Sequence, residues 1–282
     1  MEGRRDDRED EGGRVKVGSL FSGIGGFDLG LERAGMTVRW QCEIDPYCRR
    51  VLVKHWPDVP CYEDVKTIDW TEVEPVDLIC GGFPCQPVSL AGKRLAQEDE
   101  RWLWPEFARC VRVLRPLFVL VENVPGLLSA GMSDVLGDLA SCGYDAEWDC
   151  IPAAAVGAPQ CRYRVWIVAQ QPDVPDTQIF TQRPRLCAGE PAEERGRRSS
   201  DGGSSHVSGP NCRLCHWRPD EPGRGPERRT ATCGHRWWPT ESGICGVAHG
   251  VPSRVDRLGG LGNAVVPQVA EWVGRRIMEV AE

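Results

Sequence analysis

From Val15 to Ala169, short apolar runs alternate with stretches whose apolar residues recur every three or four positions among polar ones. The apolar runs predict strands over Val15–Leu20, Val38–Glu43, Val76–Cys80, Leu117–Val121, Asp145–Ile151 and Val165–Ala169. The amphipathic stretches predict helices over Phe27–Ala34, Tyr47–His55, Leu103–Leu114 and Asp134–Cys142. Strand and helix in turn imply an α/β fold with a mostly parallel sheet covered on both faces. Such sheets bind ligands beyond the carboxyl ends of their strands, so chemistry is expected in the loops after Leu20, Glu43, Cys80 and Val121.

The alternation stops after Gln171, and Pro172 to Thr240 is rich in Arg, Pro, Gly, Ser and Glu with few apolar runs. Regular patterning returns with Val251–Leu261 and with the amphipathic run Val265–Val280, which reads as a closing helix. The expected organisation is a disordered tail over 1–13, a main domain over 14–171, a smaller loop-rich region over 172–246, and a segment over 247–282 that returns to the main domain.

With 282 residues, 41% hydrophobic and 27% charged, the chain is long enough to bury a core and too polar to be mostly membrane. Residues 1–13 are charged and no run of eighteen apolar residues occurs, so neither a secretion signal nor a spanning helix is read and a cytoplasmic protein is expected. The fourteen cysteines include Cys42, Cys80 and Cys110 inside apolar runs, which marks them as reduced core residues rather than a disulfide scaffold. The net charge of −7 is uneven: residues 172–245 carry eleven Arg against ten Asp and Glu, leaving the acidity to the rest of the chain.

Three groups of residues at predicted strand ends carry candidate chemistry. After the first strand comes Phe21-Ser22-Gly23-Ile24-Gly25-Gly26, where glycines let the backbone approach a ligand and a helix start offers free N–H groups. Asp28 occupies the last glycine position of a dinucleotide fingerprint, which disfavours a nicotinamide oxidoreductase. Glu43 follows Gly23 by twenty residues, where a carboxylate can accept bonds from ribose hydroxyls. An ordinary tight turn with a surface Glu is the plainer alternative.

The second group is Gly81-Gly82-Phe83-Pro84-Cys85-Gln86-Pro87, in which glycines and prolines hold a thiol in a rigid loop at the ligand edge. A free thiol of pKa near ~8.5 is mostly protonated at neutral pH, and nearby positive charge or N–H dipoles can raise its thiolate fraction; Lys93 and Arg94 are close in sequence. The third is Glu122-Asn123-Val124-Pro125-Gly126, which delivers a carboxyl group able to donate a proton to whatever the sulfur attacks. Alternation puts Arg162 and Arg164, in Gln160-Cys161-Arg162-Tyr163-Arg164, on one face, suited to a phosphate or a polar base edge, or to a plain salt bridge.

Taken in order, these motifs with Asp64 and the late Gly262-Asn263-Ala264-Val265 resemble the DNA (cytosine-5) methyltransferase family from Val15 to Val280, apart from the middle segment. The resemblance implies a Rossmann-like S-adenosylmethionine-dependent methyltransferase fold with a target-recognition domain inserted before the C-terminal helix. It implies cytosine flipped out of duplex DNA, Cys85 as nucleophile, Glu122 as acid at ring nitrogen 3, and Arg164, with Arg162, around the base and the thiol. Phe21, Gly23, Gly25, Gly26, Glu43, Ile44, Asp64, Val65, Pro84, Leu103 and Asn263 are the implied S-adenosylmethionine contacts, with Asp64 on the adenine amine. Double-stranded DNA is the implied partner, with a monomeric, nucleoid-associated enzyme and any cognate restriction endonuclease acting as a separate protein. A transfer-RNA cytosine methyltransferase and a non-catalytic DNA-binding relative remain the alternatives.

The middle segment also holds Cys212, Cys215, Cys233 and His235, residue types that bind zinc. The Cys-x-His pair is tight for a structural site, so no metal is assigned and reduced, unliganded cysteines are expected.

Overall fold

The computed structural model describes residues 14–84, 102–158, 160–173, 179–180 and 254–281. Among them, β1 (Lys16–Leu20), β2 (Thr37–Cys42), β3 (Cys61–Tyr62), β4 (Leu78–Gly81), β5 (Phe118–Asn123), β6 (Asp145–Pro152) and β7 (Tyr163–Gln170) form one sheet in the order β3-β2-β1-β4-β5-β7-β6. The helices are α1 (Gly26–Arg33), α2 (Pro46–His55), α3 (Trp104–Leu114), α4 (Leu127–Ala130), α5 (Met132–Ser141), α6 (Arg254–Asn263) and α7 (Pro267–Ala281). The predicted strands and helices are present, with ends shifted by a few residues. No helix among the described residues is long and apolar enough to cross a membrane.

Successive strand residues face opposite sides, and the two sides carry different helices. Val119 and Val121 of β5 join Phe107 and Val111 of α3 and Val135 and Leu139 of α5 in one buried cluster. Phe118 and Leu120 join Phe27 and Leu31 of α1 and Val269, Val273 and Ile277 of α7 in the other. The C-terminal segment therefore completes one face of the sheet, as the closing amphipathic run predicts.

Pairing is parallel from β3 through β5 and antiparallel where β7 lies between β5 and β6. The reversal follows from connection length: ten residues, opening with a 3-10 turn over Ala153–Val156, link β6 to β7, and a parallel crossover needs about a dozen or more. Its consequence is positional. The start of β7 lies at the edge where β1, β2, β4 and β5 end, with Asn123 opposite Val165.

Beyond β7 the chain is drawn back onto the core. The Glu147 carboxylate of β6 accepts the backbone N–H of Ile179 (2.6 Å) and of Phe180 (3.3 Å), and the Phe180 ring stacks on Trp272 of α7. These residues lie past Gln171, where the alternating pattern ends.

Helices α1 and α7 approach closely because α1 carries small residues on the facing side. A Cβ at Gly30 would fall on the Pro267 carbonyl and 2.6 Å from the Ala270 Cβ, and one at Gly26 would lie 2.6 Å from the Val265 carbonyl. Neither obstacle is a flexible side-chain tip. Gly30→Ala is expected to lower unfolding free energy by about 1–3 kcal/mol despite the better helix propensity of Ala, read as a lower urea midpoint. An unchanged midpoint refutes the close approach.

Candidate functional site

The loop after β1 is a chain of left-handed residues: Phe21 (φ 53°), Gly23 (φ 57°) and Gly25 (φ 86°). The strain lies at Phe21, since a bulky side chain rarely adopts this conformation. Hydrogen bonds to the ends of β1 and β2 hold it there. Ser22 N–H donates to the Cys42 carbonyl (3.1 Å), and the Ser22 hydroxyl donates to the Ser19 carbonyl (3.0 Å). Glu43 ties the two loops together, one carboxylate oxygen accepting Gly23 N–H (2.7 Å) and the other Asp45 N–H (2.8 Å). Beside it Ile44 is 69% exposed, and a Cβ at Gly23 would meet nothing within 4 Å, so this corner opens on free space. Gly25 and Gly26 lie at the start of α1, both buried.

Beneath that loop Asp28 is fully buried. Its carboxylate accepts the Ser19 hydroxyl (3.2 Å) and the Gln41 amide (2.7 Å), joining α1 to β1 and β2. Burial pushes its pKa up to about 6, with a smaller push from Glu32, and the hydrogen bonds oppose it. In the sequence Asp28 stands out only as a break in glycine spacing. The available signal was an acid between Phe27 and Leu31, on the buried face of a predicted helix.

Past β3, Asp64 is half-buried in a turn and Val65 is buried beneath it. Asp64 Oδ1 accepts Lys66 N–H (2.9 Å), and among the described residues Oδ2 receives no hydrogen bond.

The third corner joins β4, β5 and β7. Phe83 is buried, its ring 5.2 Å from that of Trp102 and 5.4 Å from that of Trp104, and its carbonyl accepts the Asn123 side-chain amide (3.1 Å). Pro84 is exposed, and Leu103 sits half-buried between the two buried tryptophans. Glu122 is 8% exposed, and Arg164 Nε lies 3.1 Å from its Oε1. A Cβ at Gly82 would stand 3.1 Å from the other oxygen, so Glu122 lies against the backbone that leads into Cys85. Burial raises the Glu122 pKa to about 7, against the lowering pull of Arg164 and then Arg162.

Arg162 reaches in the other direction, donating through Nη2 to the Ala264 carbonyl (2.9 Å). Its buried Nε finds no acceptor among the described residues, and burial beside Arg164 lowers its pKa. Asn263, at the end of α6, is exposed. The structure thus gathers Phe21, Gly23, Glu43, Pro84, Glu122, Arg162 and Arg164 at one edge of the sheet. Cys85, Lys93, Arg94 and the candidate zinc ligands Cys212, Cys215, Cys233 and His235 lie outside the described residues. Among those described, no group of three His, Cys, Asp or Glu could hold a metal ion.

Residues 15–191 match the family model described as C-5 cytosine-specific DNA methylase. The chain belongs to this family. The Type II methyltransferase M2.BsuMI of Bacillus subtilis is 36% identical over 177 residues, covering 60% of this chain and 45% of that protein. The Type II methyltransferase M.Eco47II of Escherichia coli is 40% identical over 165 residues, covering 56% of this chain and 40% of that one. The chain thus spans less than half the length of either relative. The fold likeness extends to the S. pombe Dnmt2 methyltransferase structure, with a TM-score of 0.51 at 20% identity over 60% of this chain and 56% of that one. The C-5 cytosine methylase match covers β1 through β7 and the pinned Ile179 and Phe180.

Asp28 makes stability depend on pH with a definite sign. Its folded pKa of about 6 stands above the ordinary 3.8, so the native state holds the proton more tightly and stability falls as pH rises from about 4 to above 6. Asp28→Asn keeps an acceptor for Gln41 and removes the titration. Relative to the parent it is expected to gain about 2–3 kcal/mol between pH 4 and pH 7, measured by urea unfolding at each pH. Parallel stability curves for the two proteins count against the buried acid.

Proposed function

We propose that this chain transfers a methyl group from S-adenosylmethionine to carbon 5 of cytosine within a specific duplex DNA sequence, through a covalent bond between Cys85 and the base. The observation that carries the reading is the buried Glu122 carboxyl, its pKa raised by burial to about 7, held by Arg164 and lying against the glycine backbone two residues before Pro84. A solvent-facing salt bridge would instead keep the acid ionised at that pH.

The residues at the β1, β2 and β3 ends fit a nucleoside cofactor. Glu43 offers acceptors for ribose hydroxyls beyond the two backbone bonds it already takes, Ile44 an apolar face, and Asp64 Oδ2 an acceptor for an exocyclic amine. Phe21, Gly23, Gly25, Gly26, Val65, Pro84, Leu103 and Asn263 complete the proposed contacts. Bound there, S-adenosylmethionine supplies a methyl group made electrophilic by a sulfonium.

The protein's part is to make cytosine a nucleophile. The Cys85 thiolate adds its electron pair to carbon 6, the displaced ring electrons move toward nitrogen 3, and Glu122 gives that nitrogen its proton. Arg164 stabilises the carboxylate left behind and orients the base carbonyl. Carbon 5, now part of an enamine, takes the methyl group as the methyl–sulfur bond of the sulfonium breaks and a neutral thioether leaves with its electron pair. Loss of the carbon 5 proton to water or hydroxide then expels the thiolate, and nitrogen 3 returns its proton to Glu122.

Residues 172–246 are assigned to target recognition, where arginines suit base edges in the DNA grooves, and 247–282 to the return that closes the cofactor corner. The enzyme works as a monomer, and any cognate endonuclease is a separate chain.

Cys85→Ser is expected to abolish methylation, read by bisulfite sequencing of plasmid DNA after expression, while S-adenosylmethionine binding by calorimetry persists. Duplexes containing 5-fluorocytosine should trap the parent enzyme covalently. Failure of every such duplex carrying the sites methylated in cells overturns the mechanism.

Glu122 must enter the reaction protonated and Cys85 ionised, so the single-turnover rate is expected to stop rising with pH above about 7 and to fall once the thiol is fully ionised. Glu122→Gln should slow methyl transfer by about 10²–10⁴-fold and remove that alkaline limb. A parent rate that climbs steadily from pH 6 to pH 9 rules out Glu122 as the acid.

A further inference from the structure

The turn that carries Asp64 is held from outside itself. Within it, the Asp64 carbonyl accepts both the backbone N–H and the hydroxyl of Thr67, each at 3.0 Å. Two other carbonyls of the turn, those of Val65 and Ile68, go to one side chain on α3. Arg109 donates through Nη2 to the Val65 carbonyl (2.7 Å) and through Nη1 to the Ile68 carbonyl (3.0 Å). The third guanidinium nitrogen, Nε, donates to Glu106 one helical turn away (2.8 Å), and the guanidinium carbon lies 5.9 Å from the centre of the Trp70 ring.

The guanidinium is therefore fixed on three sides and presents two donors in a rigid plane, a geometry a lysine ammonium does not reproduce. The Val65 and Ile68 side chains are buried, so the turn is anchored below by packing and at its carbonyls by Arg109. Asp64, directly before Val65, is left with Oδ2 free of the turn's own hydrogen bonds.

We propose that Arg109 is a positioning residue for recognition of the adenine amino group, setting the orientation of Asp64 by clamping the two carbonyls that follow it. This rests on the assignment of Asp64 to that amino group under the proposed function. A merely structural brace would weaken all nucleoside ligands alike. A positioning residue weakens the distinction between an amino and an oxo group at the same ring position.

The test uses the full chain and calorimetry with two ligands, S-adenosylhomocysteine and its inosine analogue, which carries an oxo group in place of the amine. The parent protein should prefer the adenine ligand by about tenfold or more, and Asp64→Ala should abolish the preference. Arg109→Met should reduce it to about twofold while binding the inosine analogue within about threefold of the parent, and Arg109→Lys should fall between. A folded Arg109→Met protein that keeps the full preference, when Asp64→Ala has lost it, overturns the inference and leaves Asp64 in its role. No preference in the parent, or a preference that survives Asp64→Ala, overturns the Asp64 assignment and the inference with it. Should Arg109→Met melt below the assay temperature, Arg109→Lys decides, and its retaining the full preference overturns the proposal.

Discussion

A carboxyl group taken out of water at the seam between β5 and the reversed β7 is the constraint around which this molecule is organised. Burial disfavours the ionised form of Glu122, and a guanidinium in contact with it favours that form. The structure holds it between these opposing effects, with Arg164 Nε 3.1 Å away and the pKa raised to about 7. Arg164 reaches that position only because β7 runs backwards, and β7 runs backwards because its link to β6 is short. The neighbouring Arg162 fastens the same corner to the Ala264 carbonyl, just before α7. Seating α7 in turn requires the bare backbone of Gly26 and Gly30. The acid at the sheet edge thus depends on the far end of the chain.

Strand positions are legible in the sequence because one-sided burial leaves a period, and the described parts of the candidate loops after the strands lie at the predicted edge. Pairing direction leaves no such mark: the run Val165–Ala169 reads the same for a parallel or a reversed strand, and only the brevity of its connection to Asp145–Ile151 separates the two. The strand β3 and the helix α4, of two and four residues, are too short to show any period. Glu43, Glu122 and Arg164 are marked in the sequence by their place in an ordered set of motifs, and the structure places all three at this edge. The settings of Asp28 and Arg109 are not legible in the sequence, since their partners lie on other elements and are backbone carbonyls or buried amides that a linear sequence does not bring together.

Rigidity is distributed unevenly around the edge. On the β1 side the backbone itself is strained at Phe21 and is held by hydrogen bonds from Ser22 and Glu43 to the neighbouring loop. On the β4 side there is no left-handed residue among those described, and position is set by aromatic packing, with Phe83 between Trp102 and Trp104 and the Trp104 indole N–H donating to Asp138 of α5 (2.8 Å). Trp102 and Trp104 are thus buried core residues that fill the space around Phe83.

The two buried acids show how the same physics serves different ends. Asp28 and Glu122 are both raised chiefly by burial, to about 6 and about 7. Asp28 is answered by neutral donors, a hydroxyl and an amide, which can satisfy either protonation state with little rearrangement. Glu122 is answered by a cation, which favours its ionised form specifically. A proton leaving Asp28 therefore gains no ionic partner and simply lowers the stability of the β1, β2 and α1 junction. A proton leaving Glu122 creates a buried ion pair whose positive member is already in place. The ionised form of Asp28 thus stands among neutral donors, whereas that of Glu122 faces a guanidinium 3.1 Å away.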